Sequence, residues 1–565
     1  MVAGRSGSDD YMRSRTLFDL LSGLASDRKD HPAVIHRAGT TTYGELYERA
    51  SSVERSLRTL GVVSGDRVGL LAGNRIEWLE SFFGAAGVGA TVHAINTWVT
   101  PTELEDLLTR ADCTVLVLQA GFGRHRYLED VRQLVPEAWE ASAPGEWSSA
   151  KFPSLRAIVV LNEDIDTPRG AYDYEGWLNP ARDDAPAARR SLTLISAATP
   201  AVVLYTSGST AQPKAVPLLH YGLIENGFHI GERLGLGGED RVWLGSPLFW
   251  SYGCANALMA TFTHGATLVL QEQFVPAAAI ALIESNACTA AYLLPTLIHA
   301  LLSDPSFDRR RVATLRTGLT IGSPDEVRLA AESLGVASIC NLYGSTEVYG
   351  NCCVTPHSAT LDERLMSQGP PLPGVTLRIV NPQTAAIEPV GVVGEIQVKG
   401  YLTPGYIGVD MVSSGVFTDD GFYRSGDLGY LDERGWLHYV SRESDMIKTS
   451  GINVAPLEVE QCLLGVDGVG EVGVVGAPDT VRGELVIAYV VATSGQRLDE
   501  AALIGACRES LASYKVPARV VIVDELPKTD TGKLSRKLLR EQAATMFGVN
   551  DPLLVDAGTS PRSQS

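Results

Sequence analysis

An alternation of apolar strands with amphipathic helices constrains this chain most, and it recurs over residues 41–120 and 196–345. The segment Thr41-Thr-Tyr-Gly-Glu-Leu opens an amphipathic helix, because a threonine can cap it and apolar residues follow at helical spacing. A helix over residues 77–88 and a strand beginning at Thr91 come next. Strands alternating with helices predict parallel α/β layers, because two parallel strands need a long crossover connection between them.

The pattern changes after residue 370, where short β-rich runs are separated by Gly and Pro. Such runs predict a small β-barrel, and the compact pattern that follows predicts an α+β unit. A chain of 565 residues is also too long for one core. The predicted parts are an N-terminal core (1–443) with α/β subdomains (12–195 and 196–370) and a β-rich subdomain (371–443), a C-terminal domain (444–545) and a disordered tail (546–565).

The charge balance excludes some classes of partner. Lys and Arg total 47 against 66 Asp and Glu, a net charge of −19, which disfavours general binding of nucleic acid. The sequence contains no apolar run long enough to span a membrane, and its polar start predicts a cytoplasmic protein. The spacing of Cys and His predicts no transition-metal site. An anionic ligand must therefore meet a local positive site.

The strongest local motif is Tyr205-Thr-Ser-Gly-Ser-Thr-Ala-Gln-Pro-Lys-Ala-Val, which follows a predicted strand. Its backbone amides and hydroxyl groups can converge on a polyanion, and Lys214 adds a positive charge. The spacing of a Walker loop is absent. We interpret this segment as a phosphate-binding loop that joins the strand to a helix beginning after Leu219.

Three further motifs carry a charged group in a loop or turn. Glu347 ends Asn341-Leu-Tyr-Gly-Ser-Thr-Glu, and its carboxylate can hold a hard cation such as Mg²⁺. Asp427 follows a Gly turn, where a carboxylate can accept hydrogen bonds from both hydroxyl groups of a ribose. Lys533 lies on a Gly-bearing loop near the C-terminus. Alone each motif is weak, but together and in this order they predict a nucleotide site.

With these motifs in this order, the chain resembles the adenylate-forming superfamily of acyl-CoA synthetases, luciferases and adenylation domains of peptide synthetases. The resemblance covers roughly residues 30–545 and includes the inter-domain stretch from Ser441 to Glu460. It implies a large domain followed by a small, mobile C-terminal domain. It also implies an enzyme that joins a carboxylate to ATP, releases pyrophosphate and passes the acyl group to a thiol.

The resemblance implies a phosphate and metal site in the large domain. The segment Thr206, Ser207, Gly208, Ser209 and Thr210 would cradle the β- and γ-phosphates together with Lys214. Tyr343 would stack on adenine and Thr346 would meet the α-phosphate. Glu347 would hold Mg²⁺, so Thr346 and Glu347 are candidate catalytic residues.

The resemblance assigns the remaining roles to residues nearer the C-terminus. Asp427 would bind the ribose with Arg442 beside it, and Lys533 would be the catalytic lysine at the α-phosphate. A transition state that gathers negative charge there is stabilised directly by an ammonium and a metal. Lys448 and Gly451 would line the channel that the thiol uses after the small domain rotates.

The chain departs from the family pattern at several positions. Ala211 and Ala215 replace glycines of the phosphate loop, which narrows the backbone conformations available there. Ser441 replaces the glycine before the inter-domain arginine, and the predicted hinge is Ser444, followed by Asp445. These departures leave open how fast the loop closes and how freely the small domain rotates.

The acyl pocket is predicted from Ser246-Pro-Leu-Phe-Trp-Ser-Tyr-Gly-Cys. Trp250 stands where amino-acid-activating relatives often carry an aspartate for the ammonium, so an α-amino acid is disfavoured. The other candidate lining residues are Tyr252, Asn256, Gly322, Thr320 and Tyr349. Their identities favour an apolar or aromatic acid that carries some polar groups.

The predicted function is that of an AMP-forming acyl-CoA ligase that uses ATP, Mg²⁺ and CoA on a small-molecule acid. One alternative keeps adenylation but passes the acyl group to a carrier protein or an amine, or activates an oxyanion such as nitrite. Another is a nucleotide-binding protein without enzymatic activity. The acid and the oligomeric state stay open, with a dimer as one option.

Overall fold

The computed structural model describes most of the chain and supports two compact units. The described residues are 16–161, 167–179, 195–206, 213–409, 415–442, 445–449, 452–479, 482–511, 513–529 and 533–547. The first unit extends to Leu377 and includes Val398–Tyr423 and Arg434–Leu437. The second comprises Arg378–Gln397, Arg424–Glu433 and the chain from His438 onward. The predicted domain boundary between residues 443 and 444 stays a prediction.

The strands alternate with helices through the first unit and cluster in the β-rich region and near the C-terminus. In chain order they are β1 (Pro32–His36), β2 (Gly39–Thr42), β3 (Arg67–Leu71), β4 (Thr91–Ala94), β5 (Val115–Gln119), β6 (Ala157–Leu161), β7 (Tyr172–Asp173), β8 (Pro200–Thr206), β9 (Lys214–Leu219), β10 (Arg241–Leu244), β11 (Thr267–Leu270), β12 (Ala290–Leu293), β13 (Thr317–Thr320), β14 (Ser338–Tyr343), β15 (Cys353–Val354), β16 (Thr376–Val380), β17 (Gly394–Lys399), β18 (Tyr423–Leu431), β19 (Leu437–Arg442), β20 (Ile447–Thr449), β21 (Ile452–Val454), β22 (Val469–Asp479), β23 (Gly483–Ala492) and β24 (Arg519–Val523).

The helices cover the sheets. They are α1 (Leu17–Asp27), α2 (Tyr43–Thr59), α3 (Ile76–Val88), α4 (Pro101–Ala111), α5 (Tyr127–Leu134), α6 (Glu137–Glu140), α7 (Tyr174–Leu178), α8 (His220–Leu234), α9 (Met259–Thr263), α10 (Pro276–Ser285), α11 (Pro295–Ser303), α12 (Pro324–Arg328), α13 (Leu361–Met366), α14 (Pro456–Leu464), α15 (Glu500–Ser510) and α16 (Arg536–Phe547). Short turns of other helix types include a π-helix over Tyr252–Leu258 and a 3₁₀ turn over Thr346–Val348.

Two large sheets organise the first unit. One has the order β7-β6-β5-β3-β4-β8-β9 and the other β15-β14-β13-β12-β10-β11-β1-β2. Their interior strands run parallel, whereas β9, β15 and β2 pair antiparallel at the edges. The strands β5 and β6 are buried along their whole lengths, as expected for parallel strands covered on both faces. The predicted parallel α/β layers are confirmed.

Local signals in the sequence explain why these elements form where they do. Thr42 caps α2: the Glu45 amide donates to its hydroxyl at 3.2 Å, and the Glu45 carboxylate accepts from the Thr42 amide at 2.8 Å. The residues Leu46 and Leu57 of the predicted helical stripe are fully buried. The helix predicted from the threonine cap and the apolar spacing is therefore confirmed.

The later part of the chain contains two smaller sheets. In the β-rich region the strands pair in the order β16-β17-β18-β19. The C-terminal sheet has the order β21-β20-β23-β22, with β24 parallel to β23, and α16 packs on β22. Among the helices that the structure describes, none is long and apolar enough to cross a bilayer.

A buried histidine links two adjacent strands of the seven-stranded sheet, β4 and β8. The Nδ1 atom of His93, on β4, lies 2.8 Å from the hydroxyl oxygen of Tyr205, on β8. Burial lowers the pKa of His93 to about 3, with a further contribution from the Arg67 guanidinium. The imidazole is therefore neutral in the folded protein over the physiological range.

This shift predicts a loss of stability in acid. Below pH 6.5 the unfolded chain binds a proton at His93, whereas the folded chain does not bind it until the pH approaches 3. The free energy of unfolding therefore decreases as the pH falls toward 3. We expect His93 to account for about 3 kcal/mol of the stability lost between pH 7 and pH 4. Urea unfolding midpoints of wild type and His93→Gln, measured over this range, test the expectation. Replacement of the exposed His299 by Gln is the control, and equal pH slopes for wild type and His93→Gln would contradict it.

Candidate active site

The phosphate motif lies in a hairpin of the seven-stranded sheet. Thr206 ends β8 and pairs in register with Lys214, the first residue of β9. The predicted residues Ser207, Gly208, Ser209 and Thr210, together with Ala211, lie outside the described residues. The helix predicted to begin after Leu219 is α8, which begins at His220, whereas β9, which lies before it, was not predicted.

Lys214 and Glu347 both contact one tyrosine, Tyr406. The Lys214 ammonium lies 4.8 Å from the centroid of the Tyr406 ring, within the range of a cation–π contact. The hydroxyl of Tyr406 donates a hydrogen bond to Glu347 Oε1 at 2.7 Å. Glu347 is only 7% exposed, so its carboxylate is withdrawn from bulk water. A cation and a carboxylate thus contact the same side chain, and their roles in a phosphate and metal site stay predictions.

Tyr343 and Thr346 flank this carboxylate along the chain. Tyr343 ends β14 and is buried, and Glu347 follows in the short 3₁₀ turn that begins at Thr346. The hydroxyl of Thr346 donates to Ser251 Oγ at 3.3 Å. This contact joins the phosphate and metal motif directly to the segment predicted for the acyl pocket.

The acyl segment is aromatic. Trp250 is half-buried and packs edge-to-face on Trp98 and Phe249, with ring centroids 5.1 and 5.9 Å away. Trp98 and Phe249 also contact one another, at 5.7 Å. We call Trp98, Phe249 and Trp250 the aromatic cluster. Its position next to Ser251 places it within one residue of the contact with Thr346.

The other predicted pocket residues differ in their surroundings. Tyr252, at the start of the π-helix, donates its hydroxyl to the Leu319 carbonyl at 2.7 Å. Asn256 is fully buried, and its amide donates to the Tyr349 carbonyl at 2.8 Å. A Cβ at Gly322 would lie 2.0 Å from a carboxylate oxygen of Glu326, so a larger residue at this position would displace the Glu326 side chain. The buried Thr320 and Tyr349 keep their suggested pocket role as a prediction.

The second unit brings together Asp427, Arg442 and Lys533. Asp427 is buried, and its Oδ1 lies 3.2 Å from Nε of the exposed Arg442. Although Lys533 remains partly exposed, the protein around its ammonium and the neighbouring Arg442 lower its pKa, and Asp427 partly offsets the shift. We predicted that Asp427 follows a glycine turn, whereas it lies within the strand β18. The preceding Gly426 has a φ of +67°, in the left-handed region that favours glycine.

The residues predicted for the hinge and the thiol channel are described only in part. Ser444 and Gly451 lie outside the described residues, and Lys448 lies in β20. Asp445 is held by two arginines, since its carboxylate oxygens lie 3.6 Å from Nε of Arg536 and 3.6 Å from Nη1 of Arg540. The hinge and channel roles stay predictions.

Comparison with known proteins decides the family. The sequence pattern described as AMP-binding enzyme matches residues 23–407, and the pattern of the AMP-binding enzyme C-terminal domain matches residues 458–533. The chain belongs to the AMP-binding enzyme family. It is an AMP-forming acid–thiol ligase of the acyl-CoA synthetase type, and this family uses ATP and CoA. The predicted family and enzyme class are therefore confirmed.

Individual relatives agree with this assignment over nearly the whole chain. The putative acyl-CoA synthetase YngI of Bacillus subtilis (strain 168) is 30% identical over 95% of this chain and 98% of its own length. The ATP-bound crystal structure of MatB from Rhodopseudomonas palustris is 27% identical with a TM-score of 0.80, and covers 94% of this chain and 99% of its own. The anthranilate CoA ligase AuaEII in complex with anthranoyl-AMP is 26% identical with a TM-score of 0.80, and covers 96% of this chain and 100% of its own.

Sequence reasoning about this AMP-binding enzyme missed two aromatic residues beside the site. Tyr406 contacts both Lys214 and Glu347 from a segment without a charged motif. Trp98 joins the aromatic cluster from the loop that follows β4. The only sequence signal for Trp98 was its place at the carboxyl end of a predicted parallel strand, where ligands of α/β sheets are commonly bound.

Proposed function

We propose that the protein activates an apolar or aromatic carboxylic acid with Mg²⁺-ATP and transfers the acyl group to CoA. The observation that carries the substrate class is the aromatic cluster, which Ser251 joins to Thr346 of the nucleotide motif. Indole and phenyl side chains offer apolar and stacking surface. An α-ammonium prefers a carboxylate partner, so Trp250 argues against an amino acid.

Glu347 is suited to hold the magnesium ion. Its buried carboxylate is oriented through one oxygen by Tyr406. Among the described residues there is no group of three or more His, Cys, Asp and Glu that would form an all-protein site. This fits Mg²⁺, which is commonly held by one or two carboxylates with substrate phosphates and water as the other ligands. When bound, the ion supplies charge that offsets the negative charge gathering on the phosphates.

The remaining residues are assigned by their chemistry. Thr206 and Lys214 hold phosphate oxygens, and Asp427 accepts hydrogen bonds from the ribose hydroxyls. A carboxylate oxygen of the substrate attacks the α-phosphorus, and the bond to the leaving pyrophosphate breaks. Lys533 stabilises the charge that develops in this step. The CoA thiolate then attacks the acyl carbon, and AMP leaves with the bonding electrons.

A panel of acids tests this proposal. We expect aromatic and medium-chain apolar acids to give pyrophosphate release with a kcat/KM at least about tenfold above that of α-amino acids, because unpaired ammonium groups are costly to bury. Pyrophosphate is measured by a coupled assay and thioester formation by mass spectrometry, with and without CoA. Acyl-adenylate that accumulates without becoming a thioester would point to a carrier protein or amine. Release with nitrite alone would overturn the carboxylate assignment.

A further inference from the structure

Residues 403–407, between β17 and β18, contact both β9, which begins at Lys214, and Glu347, the carboxylate proposed to hold the metal. We call these residues the bridging segment. The Thr403 amide donates to the Glu347 carbonyl at 2.8 Å, and its hydroxyl donates to the Pro217 carbonyl at 2.8 Å. The Ile407 amide donates to the Ala215 carbonyl at 3.0 Å. Both ends of the segment are therefore fixed to β9, and one end is also fixed to the backbone of Glu347.

Tyr406 uses two different parts of its side chain within this segment. The face of its ring receives the Lys214 ammonium at 4.8 Å, and its hydroxyl donates to Glu347 Oε1 at 2.7 Å. Tyr406 is only 7% exposed, so both contacts are made largely out of water. Contacts to charged groups are stronger when they are desolvated.

This arrangement keeps the lysine and the carboxylate from satisfying one another before a ligand binds. A lysine for phosphate and a carboxylate for a cation attract one another, and a direct ion pair between them would satisfy both charges before a ligand arrives. A tyrosine instead makes a weaker contact with each of the two charged groups. Its ring attracts the ammonium, and its hydroxyl occupies one carboxylate oxygen and leaves the second available.

We propose that Tyr406 is a positioning residue for nucleotide activation: its hydroxyl orients Glu347 for the metal, and its ring holds the Lys214 ammonium apart from that carboxylate. This inference rests on the proposed roles of Lys214 and Glu347 in binding Mg²⁺-ATP. Burial and the Glu347 charge raise the pKa of Tyr406, so the phenol remains a proton donor throughout the working range of pH. Ionisation therefore does not interrupt the contact with Glu347.

Two substitutions separate the two contacts. Tyr406→Phe keeps the ring beneath Lys214 and removes only the hydroxyl. We expect it to weaken Mn²⁺ binding about tenfold in the presence of a non-hydrolysable ATP analogue, because it removes a hydrogen bond to a charged group. Tyr406→Leu removes the ring as well, and we expect it also to raise the Kd for the ATP analogue about tenfold. Mn²⁺ binding is followed by electron paramagnetic resonance on the full-length protein.

Matched variants decide between positioning and general stability. Tyr401→Phe is the control, because Tyr401 lies five residues earlier and packs on Tyr221 and His229 away from these charges. In the background of Glu347→Gln, Tyr406→Phe should cause no further loss of Mn²⁺ binding, since the carboxylate through which it acts has gone. Should Tyr406→Phe fold poorly, 3-fluorotyrosine is incorporated in place of Tyr406; it keeps the ring and the donating hydroxyl and should bind Mn²⁺ within about threefold of wild type.

Each outcome has a defined meaning. Mn²⁺ binding by Tyr406→Phe equal to that of wild type and Tyr401→Phe would overturn the inference, as would an additive loss in the Glu347→Gln background. A loss with 3-fluorotyrosine at position 406 as large as in Tyr406→Leu would also overturn it. Neither acid nor CoA is present in these titrations. A wild-type protein that activates no carboxylic acid would therefore refute the proposed function while leaving this test intact.

Discussion

Lys533→Ala is expected to lower acid-dependent exchange of pyrophosphate into ATP by about 100-fold or more, while ATP binding stays within a few-fold of wild type. The reason is that the ammonium acts on charge that develops at the α-phosphorus only during the reaction, so its loss affects the transition state more than the ground state. The clustering of Lys533 with Asp427 and Arg442 supports this role. Isotope exchange measures the reaction, and equilibrium dialysis measures ATP binding.

The chain offers a matched control on the same segment. Lys528 is also a partly exposed lysine, but its ammonium lies 2.9 Å from the Glu471 carboxylate. Lys528→Ala should leave exchange within about twofold of wild type, because exposed ion pairs contribute little. Exchange by Lys533→Ala at the rate of Lys528→Ala would remove Lys533 from the mechanism. Lys533→Arg keeps the charge but not the shape, and should retain a measurable part of the activity.

Asp427→Ala is expected to raise the KM for ATP roughly 100-fold, with a smaller change in kcat. A buried carboxylate that accepts two hydroxyl groups contributes about 1.5–3 kcal/mol per hydrogen bond, and 1.4 kcal/mol corresponds to a factor of ten in binding. The mutation leaves Arg442 without this partner, yet that side chain is already 62% exposed and water can solvate it. Most of the effect should therefore appear in nucleotide binding rather than in stability.

A second nucleotide distinguishes ribose recognition from general damage. With 2′,3′-dideoxy-ATP the wild type should already bind weakly, and Asp427→Ala should add little, because the groups that the carboxylate contacts are missing. Asp432→Ala is the control on the loop after β18, where Asp432 lies 3.2 Å from His438. An unchanged KM for ATP in Asp427→Ala would reject the ribose role.

Much of the fold was accessible from local patterns. The α2 helix was predicted from a capping threonine and apolar residues at helical spacing, both of which act within a few residues of chain. β9 was missed for an equally local reason, since Pro217 lacks an amide to donate and weakens a strand pattern. The structure accommodates it because β9 is an edge strand of its sheet. The segment is recognised as a strand only by its antiparallel pairing with β8 in the folded chain.

The candidate site likewise contains residues that local sequence patterns indicate and residues that only tertiary contacts reveal. Lys214, Glu347, Asp427 and Lys533 were selected as candidates because a charge in a Gly-rich or polar turn is an unusual local pattern with a definite chemistry, and their roles stay predictions. Tyr406 and Trp98 carry no such pattern. Their importance arises from contacts across long stretches of chain, to Glu347 in the first case and to Trp250 in the second.

The sequence by itself determined the α/β class and the family and marked the charged groups that we propose to meet the nucleotide, because periodicity, caps and motifs are properties of neighbouring residues. The tertiary structure alone decided which uncharged groups stand around those charges. It placed an aromatic cluster beside Thr346 and a tyrosine in contact with both Lys214 and Glu347. The physical reason is that desolvation and orientation, which set the strength of a charge, depend on what packs against it in three dimensions.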